Sequence, residues 1–282
     1  MFGWWRYKRG STYWSNRGTN RGRNKIWCSS TVHHHGSIVA TLYALGYTPK
    51  EMYQIFKEYC SKINYIELSN IPKFILSKIF KDEIKVYGLN SGKAIRKKVR
   101  EVATKKGRQN ISDITIPIFI PSVDLKTGNL IVFTSENKRK VFSDNIIYIN
   151  NTDISLAVQA SCSFPGIFEP VIFNDFVLAD GGIRENVPWH ILKSSGYNSI
   201  LSIVFEESND VYCCNNILDV LTNSFDILCH ELSNYELNGA DYLIRIDTPH
   251  VSLLDCSKID ELYILGYRQT KEYIHKNRLI FN

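Results

Sequence analysis

The strongest constraint on the fold of this chain lies at Gly36, where three histidines, His33–His35, run into the sequence GSIVATLYALGY. Ile38 and Leu42 recur there at helical spacing among small and apolar neighbours, and Gly46 follows as a helix stop signal. The pattern predicts a buried helix that begins near Gly36.

The residue two positions before Gly36 would occupy the sharp strand-to-helix turn that carries the nucleophile in serine hydrolases of the Gly-X-Ser-X-Gly type. This position holds His34. The histidine is therefore a candidate site residue, either in its own right or as the replacement of a lost serine.

Length and composition indicate a single large soluble domain. The chain has 282 residues, 44% of them apolar, and contains neither an apolar run of about 20 residues nor a signal peptide pattern. Its seven cysteines are odd in number and include no C-x-x-C pair, as expected for reduced thiols. We therefore expect an unexported, cytoplasmic protein.

The positive charge is concentrated at the beginning of the chain. Residues 1–50 contain eight Lys or Arg and no Asp or Glu, and four of the five tryptophans lie within residues 1–27. Residues 4–35 show no strand alternation and no helical apolar stripe. One interpretation is a basic aromatic arm that binds RNA through phosphate charge and base stacking.

A second interpretation of this segment is a shifted reading frame. Trp4–Gly10 can be written in codons that, read one base later, give Gly-Gly-Gly-Thr-Lys-Gly-Ala, and the same frame turns residues 14–30 into an amphipathic helix and a strand. In the remaining frame, Thr31–His35 can yield Gly-Pro-Ser-Ser directly before Gly36. The hypothesis restores a glycine-rich loop and a Gly-X-Ser-X-Gly turn.

The rest of the chain alternates helical and strand patterns. Apolar runs at 114–120 and 130–133 flank a turn at Asp124–Gly128, and 171–178 turns at Asn174-Asp175. The alternation predicts a layered α/β domain. The basic segment 93–108 reads as a helix with a solvated charged face, with a patch for anionic lipid as the alternative.

The most informative intact motif is LADGGIRENVP, in which Asp180 ends a strand and Gly181 and Gly182 follow it. A carboxylate held by a tight glycine turn can accept a proton from a nearby hydroxyl, and the missing side chains leave room for a substrate. The same dipeptide is also an ordinary turn signal.

Together with GSIVATLYALGYTPKEM, GLNSGKAIRKKV, IPSVDLKTGNLIVF and QASCSFPGIFEPV, this motif resembles the patatin-like phospholipase family over about residues 36–270. The resemblance implies a three-layer α/β fold with a mostly parallel sheet, and a Ser-Asp dyad that hydrolyses lipid esters. It implies no metal and no organic cofactor.

Carried over to this chain, the resemblance makes Asp180 the general base, Gly181 and Gly182 the rest of its motif, and Pro165 and Gly166 part of the loop that faces the site. His34 stands at the nucleophile position, and the oxyanion loop has no counterpart. We therefore expect an aberrant segment at 1–35, an acyl-hydrolase domain at 36–282, and little or no activity. The competing hypotheses are an acyl-lipid-binding pseudoenzyme and the RNA-binding arm.

Other candidates are weaker. Ser37 would lie inside the first helical turn and point away from the base, and three consecutive histidines cannot all face one metal ion on a regular element. Cys28 has no neighbour in the sequence that would activate its thiol. We expect no chemistry from any of them.

Overall fold

The computed structural model describes residues 13–16, 27–28, 36–60, 87–137, 145–197, 199–207, 214–215, 217–237, 241–249 and 257–277. The helices in this part of the chain are α1 (Gly36–Ala44), α2 (Pro49–Cys60), α3 (Lys93–Lys105), α4 (Ile154–Ser161), α5 (Trp189–Ser194), α6 (Ile217–Glu236) and α7 (Ile259–Lys276). The strands are β1 (Tyr13–Asn16), β2 (Trp27–Cys28), β3 (Gly88–Asn90), β4 (Ile118–Asp124), β5 (Leu130–Thr134), β6 (Ile146–Ile149), β7 (Gly166–Phe168), β8 (Val171–Phe173), β9 (Phe176–Asp180), β10 (Ser199–Glu207) and β11 (Tyr242–Thr248).

Helix α1 is the buried helix that the sequence predicts. Every residue from Gly36 to Ala44 is buried, in keeping with the absence of charged side chains in this helix. Gly46 adopts a left-handed φ of 84°, and its amide donates to the Tyr43 carbonyl, which ends the helix. The start of α1 is therefore buried inside the protein.

The central sheet has the order β6-β5-β4-β9-β8, and β2 pairs with β4 in parallel. Both predicted turns are present: the one at Asp124–Gly128 joins β4 to β5, and Asn174, with φ of 51°, lies in the turn between β8 and β9. These hairpins make their strand pairs antiparallel, so the described strands form four parallel and four antiparallel pairs.

Side chains of β4 and β5 alternate between two hydrophobic clusters. Ile118 and Phe133 pack with residues of helices α1 to α4, whereas Phe119 packs with Ile191 of α5 and Tyr197. This is the two-residue period of a strand that is buried on both faces. The sheet therefore has helices on both sides, and the predicted three-layer α/β fold is confirmed.

The first 35 residues contain two short strands that the sequence does not predict. β1 pairs antiparallel with β10, and β2 pairs in parallel with Ile118 and Phe119 of β4. Strand pairing uses backbone groups, so it does not require the side-chain alternation that this segment lacks. The other residues of the predicted RNA-binding arm, including His34, lie outside the described part of the chain.

The basic helix α3 has a charged outer face and an apolar inner face. Ile95, Val99 and Val102 are buried, while Lys98 bonds to Glu58 on α2. Lys105 bonds to Glu101, and Arg100 bonds to Asp153. Because several cations already have carboxylate partners, the structure favours a solvated face over a patch for anionic lipid.

Candidate active site

Asp180 is the last residue of β9 and lies in the middle of the molecule. It is 3% exposed and faces Ser122 of β4 in the sheet register. Its backbone amide donates a 3.0 Å hydrogen bond to the Ser163 carbonyl, and Ser163 follows the end of α4. Backbone contacts with β4 and with Ser163 therefore hold the end of β9 in place without any contribution from side chains.

The two glycines after Asp180 have separate structural roles. The Gly182 amide donates a 2.8 Å hydrogen bond to Oδ1 of Asp180, which fixes the orientation of the carboxylate. A Cβ atom on Gly181 would lie 2.7 Å from the Pro121 carbonyl oxygen, so no side chain fits there. The motif thus depends on glycine because the turn passes directly against the backbone of β4.

Cys162 is the residue that relates the beginning of α1 to Asp180, because its thiol contacts Ser37 and its pKa responds to the charge of Asp180. The Ser37 hydroxyl is buried and lies 3.3 Å from the Cys162 thiol. Burial raises the pKa of Cys162, the hydrogen bond with Ser37 opposes this rise, and the negative charge of Asp180 adds to it. The thiol is therefore held in its neutral form, which is a poor nucleophile.

The structure places the remaining predicted site residues as follows. Gly166 begins β7 in a left-handed conformation, with φ of 83°, and pairs with Gly88 of β3. Pro165 precedes it and is separated by one residue from Ser163, whose carbonyl binds the Asp180 amide. The Pro165-Gly166 loop is thus connected to the motif loop through Ser163. Its contact with a substrate stays a prediction, as does the role of His34.

Helix α6 holds the loop that follows the Asp180 motif. The Asn186 side chain donates to the Cys229 carbonyl and to the Ser233 hydroxyl, and the Val187 amide donates a 2.6 Å hydrogen bond to Glu236. No sequence motif marks these α6 residues, which lie 43 to 49 residues from their partners along the chain. Pro188, two residues after Asn186, lies at the start of α5.

Two carboxyl groups at this contact are buried beside each other. Burial raises the pKa of Glu185 to about 8, and the neighbouring Glu236 adds to the rise, which the Arg184 charge opposes. Burial also raises the pKa of Glu236 to about 7, although the backbone amides of Val187 and Asn186 favour its charged form. The two carboxyl groups therefore gain or lose protons near neutral pH, and one of them, Glu185, lies only a few residues after Asp180 in the sequence.

Two further observations concern cofactors and membranes. The described residues include no group of three or more His, Cys, Asp or Glu side chains arranged to hold a metal ion. Among the helices of the described ranges, none is long and apolar enough to cross a bilayer.

Comparison with known proteins gives a consistent result. The model of the family described as "Patatin-like phospholipase" matches residues 35–193, more than half of the chain. The "Probable lipid hydrolase 463L" of Invertebrate iridescent virus 6 is 26% identical over 156 residues, which cover 54% of this chain and 49% of the viral protein. The "Uncharacterized protein YqhO" of Bacillus subtilis (strain 168) is 26% identical over 162 residues, covering 54% and 52% of the two chains.

The chain therefore spans about half the length of these two curated relatives. The family match begins at position 35, directly before α1, and extends past the Asp180 motif to α5. It thus includes α1, the central strands and the loop held by α6. On this evidence the chain belongs to the patatin-like phospholipase family.

Proposed function

We propose that this chain has the architecture of a serine–aspartate lipid acyl-hydrolase, with Asp180 as the general base and position 34 as the nucleophile position. The observation that supports the proposal is that the Cys162 thiol contacts Ser37 at the start of α1 while its pKa is raised in part by the charge of Asp180. A general base must lie within hydrogen-bond reach of the hydroxyl it deprotonates. We propose that the side chain of position 34, directly before α1, reaches this same region.

The substrate class follows from the family and from a relative named as a lipid hydrolase. In the proposed reaction, Asp180 takes the proton of the nucleophilic hydroxyl as its oxygen attacks the ester carbonyl. As the acyl-enzyme forms, protonated Asp180 returns its proton to the departing alcohol. Asp180 then takes a proton from water, whose oxygen attacks the acyl-enzyme and releases the fatty acid.

As written, the chain lacks the hydroxyl for this step, because position 34 holds His34. The loss of a serine nucleophile lowers kcat by on the order of a millionfold. We therefore propose that residues 1–35 are an aberrant segment, and that residues 36–282 form an acyl-hydrolase domain that binds acyl lipid without turning it over. A frameshift within codons 4–35 accounts for both the missing nucleophile and the missing oxyanion loop.

The test compares the chain as written with a chain whose residues 4–35 are replaced by the two shifted readings. We expect the restored chain to react with a fluorophosphonate probe and to hydrolyse short p-nitrophenyl esters, and the chain as written to do neither. Asp180→Asn in the restored chain should abolish hydrolysis, whereas Asp175→Asn, in an exposed turn, should not.

Two results would contradict the proposal. Hydrolysis by the chain as written that depends on Asp180 would show that His34 does not inactivate it. A folded restored chain that neither binds the probe nor hydrolyses esters would rule out the acyl-hydrolase. Resequencing the coding DNA tests the frameshift by itself.

A further inference from the structure

Helix α6 contacts the loop after Asp180 through one side. The residues of α6 that bond to this loop recur at spacings of four and three positions, and they are Cys229, Ser233 and Glu236. The Cys229 thiol donates a weak 3.9 Å hydrogen bond to the Gly182 carbonyl, and the Gly182 amide binds Oδ1 of Asp180. The helix therefore contacts the residue that orients the Asp180 carboxylate.

This contact lies beyond the part of the chain that matches the family model. The match ends at residue 193, whereas α6 begins at Ile217. The Asp180 motif lies within the matched part, but the helix that holds the loop after it does not. The bonds between α6 and this loop are therefore a feature that membership of the family does not explain.

The contact includes two carboxyl groups in one buried region. Glu236 accepts the hydrogen bond of the Val187 amide, and Glu185 lies two residues earlier in the same loop. Each of the two glutamates is only 9% exposed. Two charged carboxylates in such a region repel each other and lose hydration, and a proton on the pair reduces both costs. Burial accordingly raises the pKa of Glu185 to about 8 and that of Glu236 to about 7.

The other charged groups around the pair modify this repulsion. The charge of Arg184 opposes the rise in the pKa of Glu185, but its guanidinium also donates to the Gly128 carbonyl. His190 on α5 is half-exposed, and its Nδ1 lies 4.0 Å from Oε1 of Glu185, a contact that is an ion pair only when the ring is protonated. The remaining described titratable side chains of β9, α5 and α6 are Asp180, Lys193, which bonds to Asp241, the buried Cys229, and the exposed His230, Glu231 and Tyr235.

We propose that α6 is a proton-dependent clamp on the loop after Asp180, in which Glu236 positions the loop and a proton on Glu185 keeps the clamp closed. In the closed clamp, the bonds of Asn186 and Val187 to α6 hold the turn that orients Asp180. When both glutamates are charged, their repulsion separates the loop from α6 and loosens this turn.

The effect of the clamp on hydrolysis rests on the proposed lipid acyl-hydrolase function. Both pKa values are raised above the ordinary value of 4.5, so the closed clamp binds protons that the open one releases. The clamp is therefore favoured below about pH 7 and opens as pH rises through about 8. Asp180 is held as a base in neutral solution and loses its orientation in alkaline solution.

The test is hydrogen–deuterium exchange of the full chain at pH 6 and pH 8.5, with each rate divided by the intrinsic rate at that pH. We expect the corrected exchange of residues 181–188 to be about tenfold faster or more at pH 8.5, because opening releases protons. At pH 8.5 these amides should also be less protected than those of β5, since the clamp opens without unfolding of the sheet.

Two variants test the roles of the glutamates. Glu185→Gln/Glu236→Gln keeps the shape of the pair and an acceptor oxygen for the Val187 amide, and should reduce the change with pH to less than about twofold. Glu236→Ala removes the acceptor, so residues 181–188 should exchange about tenfold faster or more even at pH 6. The matched control is Glu231→Gln, whose side chain is 75% exposed on the same helix, and it should behave like the unchanged chain.

Two outcomes would overturn the proposal. If the double glutamine variant and the unchanged chain show the same change with pH, Glu185 and Glu236 do not control the loop. If residues 181–188 are as well protected as β5 at pH 8.5, α6 does not separate from the loop while the sheet stays folded.

The exchange experiment uses the chain as written and requires no hydrolysis, so the clamp and the proposed function can fail separately. A clamp that opens with pH in a chain whose restored form cleaves no ester would refute only the proposed function. A restored chain that cleaves esters, but whose residues 181–188 exchange independently of pH after correction, would refute only the clamp.

Discussion

The backbone amide of Val187 donates a 2.6 Å hydrogen bond to Oε2 of Glu236, which joins the loop after Asp180 to the last turn of α6. The contact is buried, and the Asn186 side chain reinforces it through the Cys229 carbonyl and the Ser233 hydroxyl. Glu185 lies beside the contact and is buried with it. The loop that orients Asp180 is thus held by groups whose charge depends on pH.

The first prediction concerns stability against pH. The pKa of Glu185 is raised from its ordinary value of 4.5 to about 8, so the folded state binds a proton there that the unfolded chain releases. Protonation of Glu185 therefore stabilises the folded state relative to the unfolded chain. This contribution is complete below about pH 4.5 and is lost as pH rises through about 8. We expect Glu185→Gln to raise the free energy of unfolding by about 1–3 kcal/mol at pH 8.5, and far less at pH 5, in urea titrations.

The matched control is Glu272→Gln, at an exposed position of α7. It should change the free energy of unfolding by less than about 0.5 kcal/mol at both pH values. An equal effect of Glu185→Gln at pH 5 and pH 8.5 would show that Glu185 does not titrate with folding. The groups near Glu185 that could modify the window are Glu236, Arg184 and His190, whose Nδ1 lies 4.0 Å from Glu185 Oε1.

A second prediction adds charge to the same contact. Asn186→Asp replaces an amide that donates to Cys229 and Ser233 by a carboxyl group close to Glu185 and Glu236. The lost hydrogen bonds should cost about 1–3 kcal/mol at pH 5, and repulsion should increase the loss at pH 8.5. Asn186→Ala removes the bonds without adding charge, so its cost should change little with pH. If the two variants show the same pH profile, the carboxyl pair does not interact with position 186.

A third prediction distinguishes two structural reasons for a glycine, which are the lack of space for a Cβ atom and a positive φ. A Cβ on Gly181 would lie 2.7 Å from the Pro121 carbonyl oxygen, whereas Gly128 has open space around it and a positive φ of 72°. We expect Gly181→Ala to lower the free energy of unfolding by about 2–3 kcal/mol or more, because the new Cβ atom would force the backbone of Gly181 or of Pro121 to move. Gly128→Ala should cost about 1 kcal/mol for the backbone conformation alone. If thermal unfolding shows the same loss of free energy for both variants, the turn at Gly181 can move to make room for a Cβ atom at little cost.

Much of this fold could be predicted from the sequence because its signals are local. The apolar run at Ile38–Leu45 and the stop at Gly46 define α1, and the turn residues at Asp124–Gly128 define the β4–β5 hairpin. Asp180 could be assigned to a strand end because two glycines follow it directly. Each of these signals lies within a few residues of the feature it determines.

What could not be predicted depends on contacts between distant residues. Nothing in the sequence distinguishes Cys162 from the other cysteines, but its thiol contacts Ser37 and is affected by the charge of Asp180, because α4 packs on α1 and β9. In the sequence, Glu236 is one polar residue of an amphipathic helix pattern. In the structure, its carboxylate accepts a hydrogen bond from the Val187 amide. The strands β1 and β2 arise from backbone pairing, which leaves no side-chain pattern in their sequence.

The last prediction tests the buried thiol beside the candidate site. Cys162 is buried and its pKa is raised by burial, whereas Cys214 is exposed. Only the thiolate reacts with iodoacetamide, so in the folded chain we expect Cys214 to be alkylated at pH 8 at least a hundred times faster than Cys162. Peptide mass mapping after timed quenching measures both rates in one sample, and in 6 M guanidinium chloride the two rates should converge. Rapid alkylation of Cys162 in the folded chain would mean that the region between Ser37 and Asp180 is open to solvent, and the geometry that supports Asp180 as a base would then be lost.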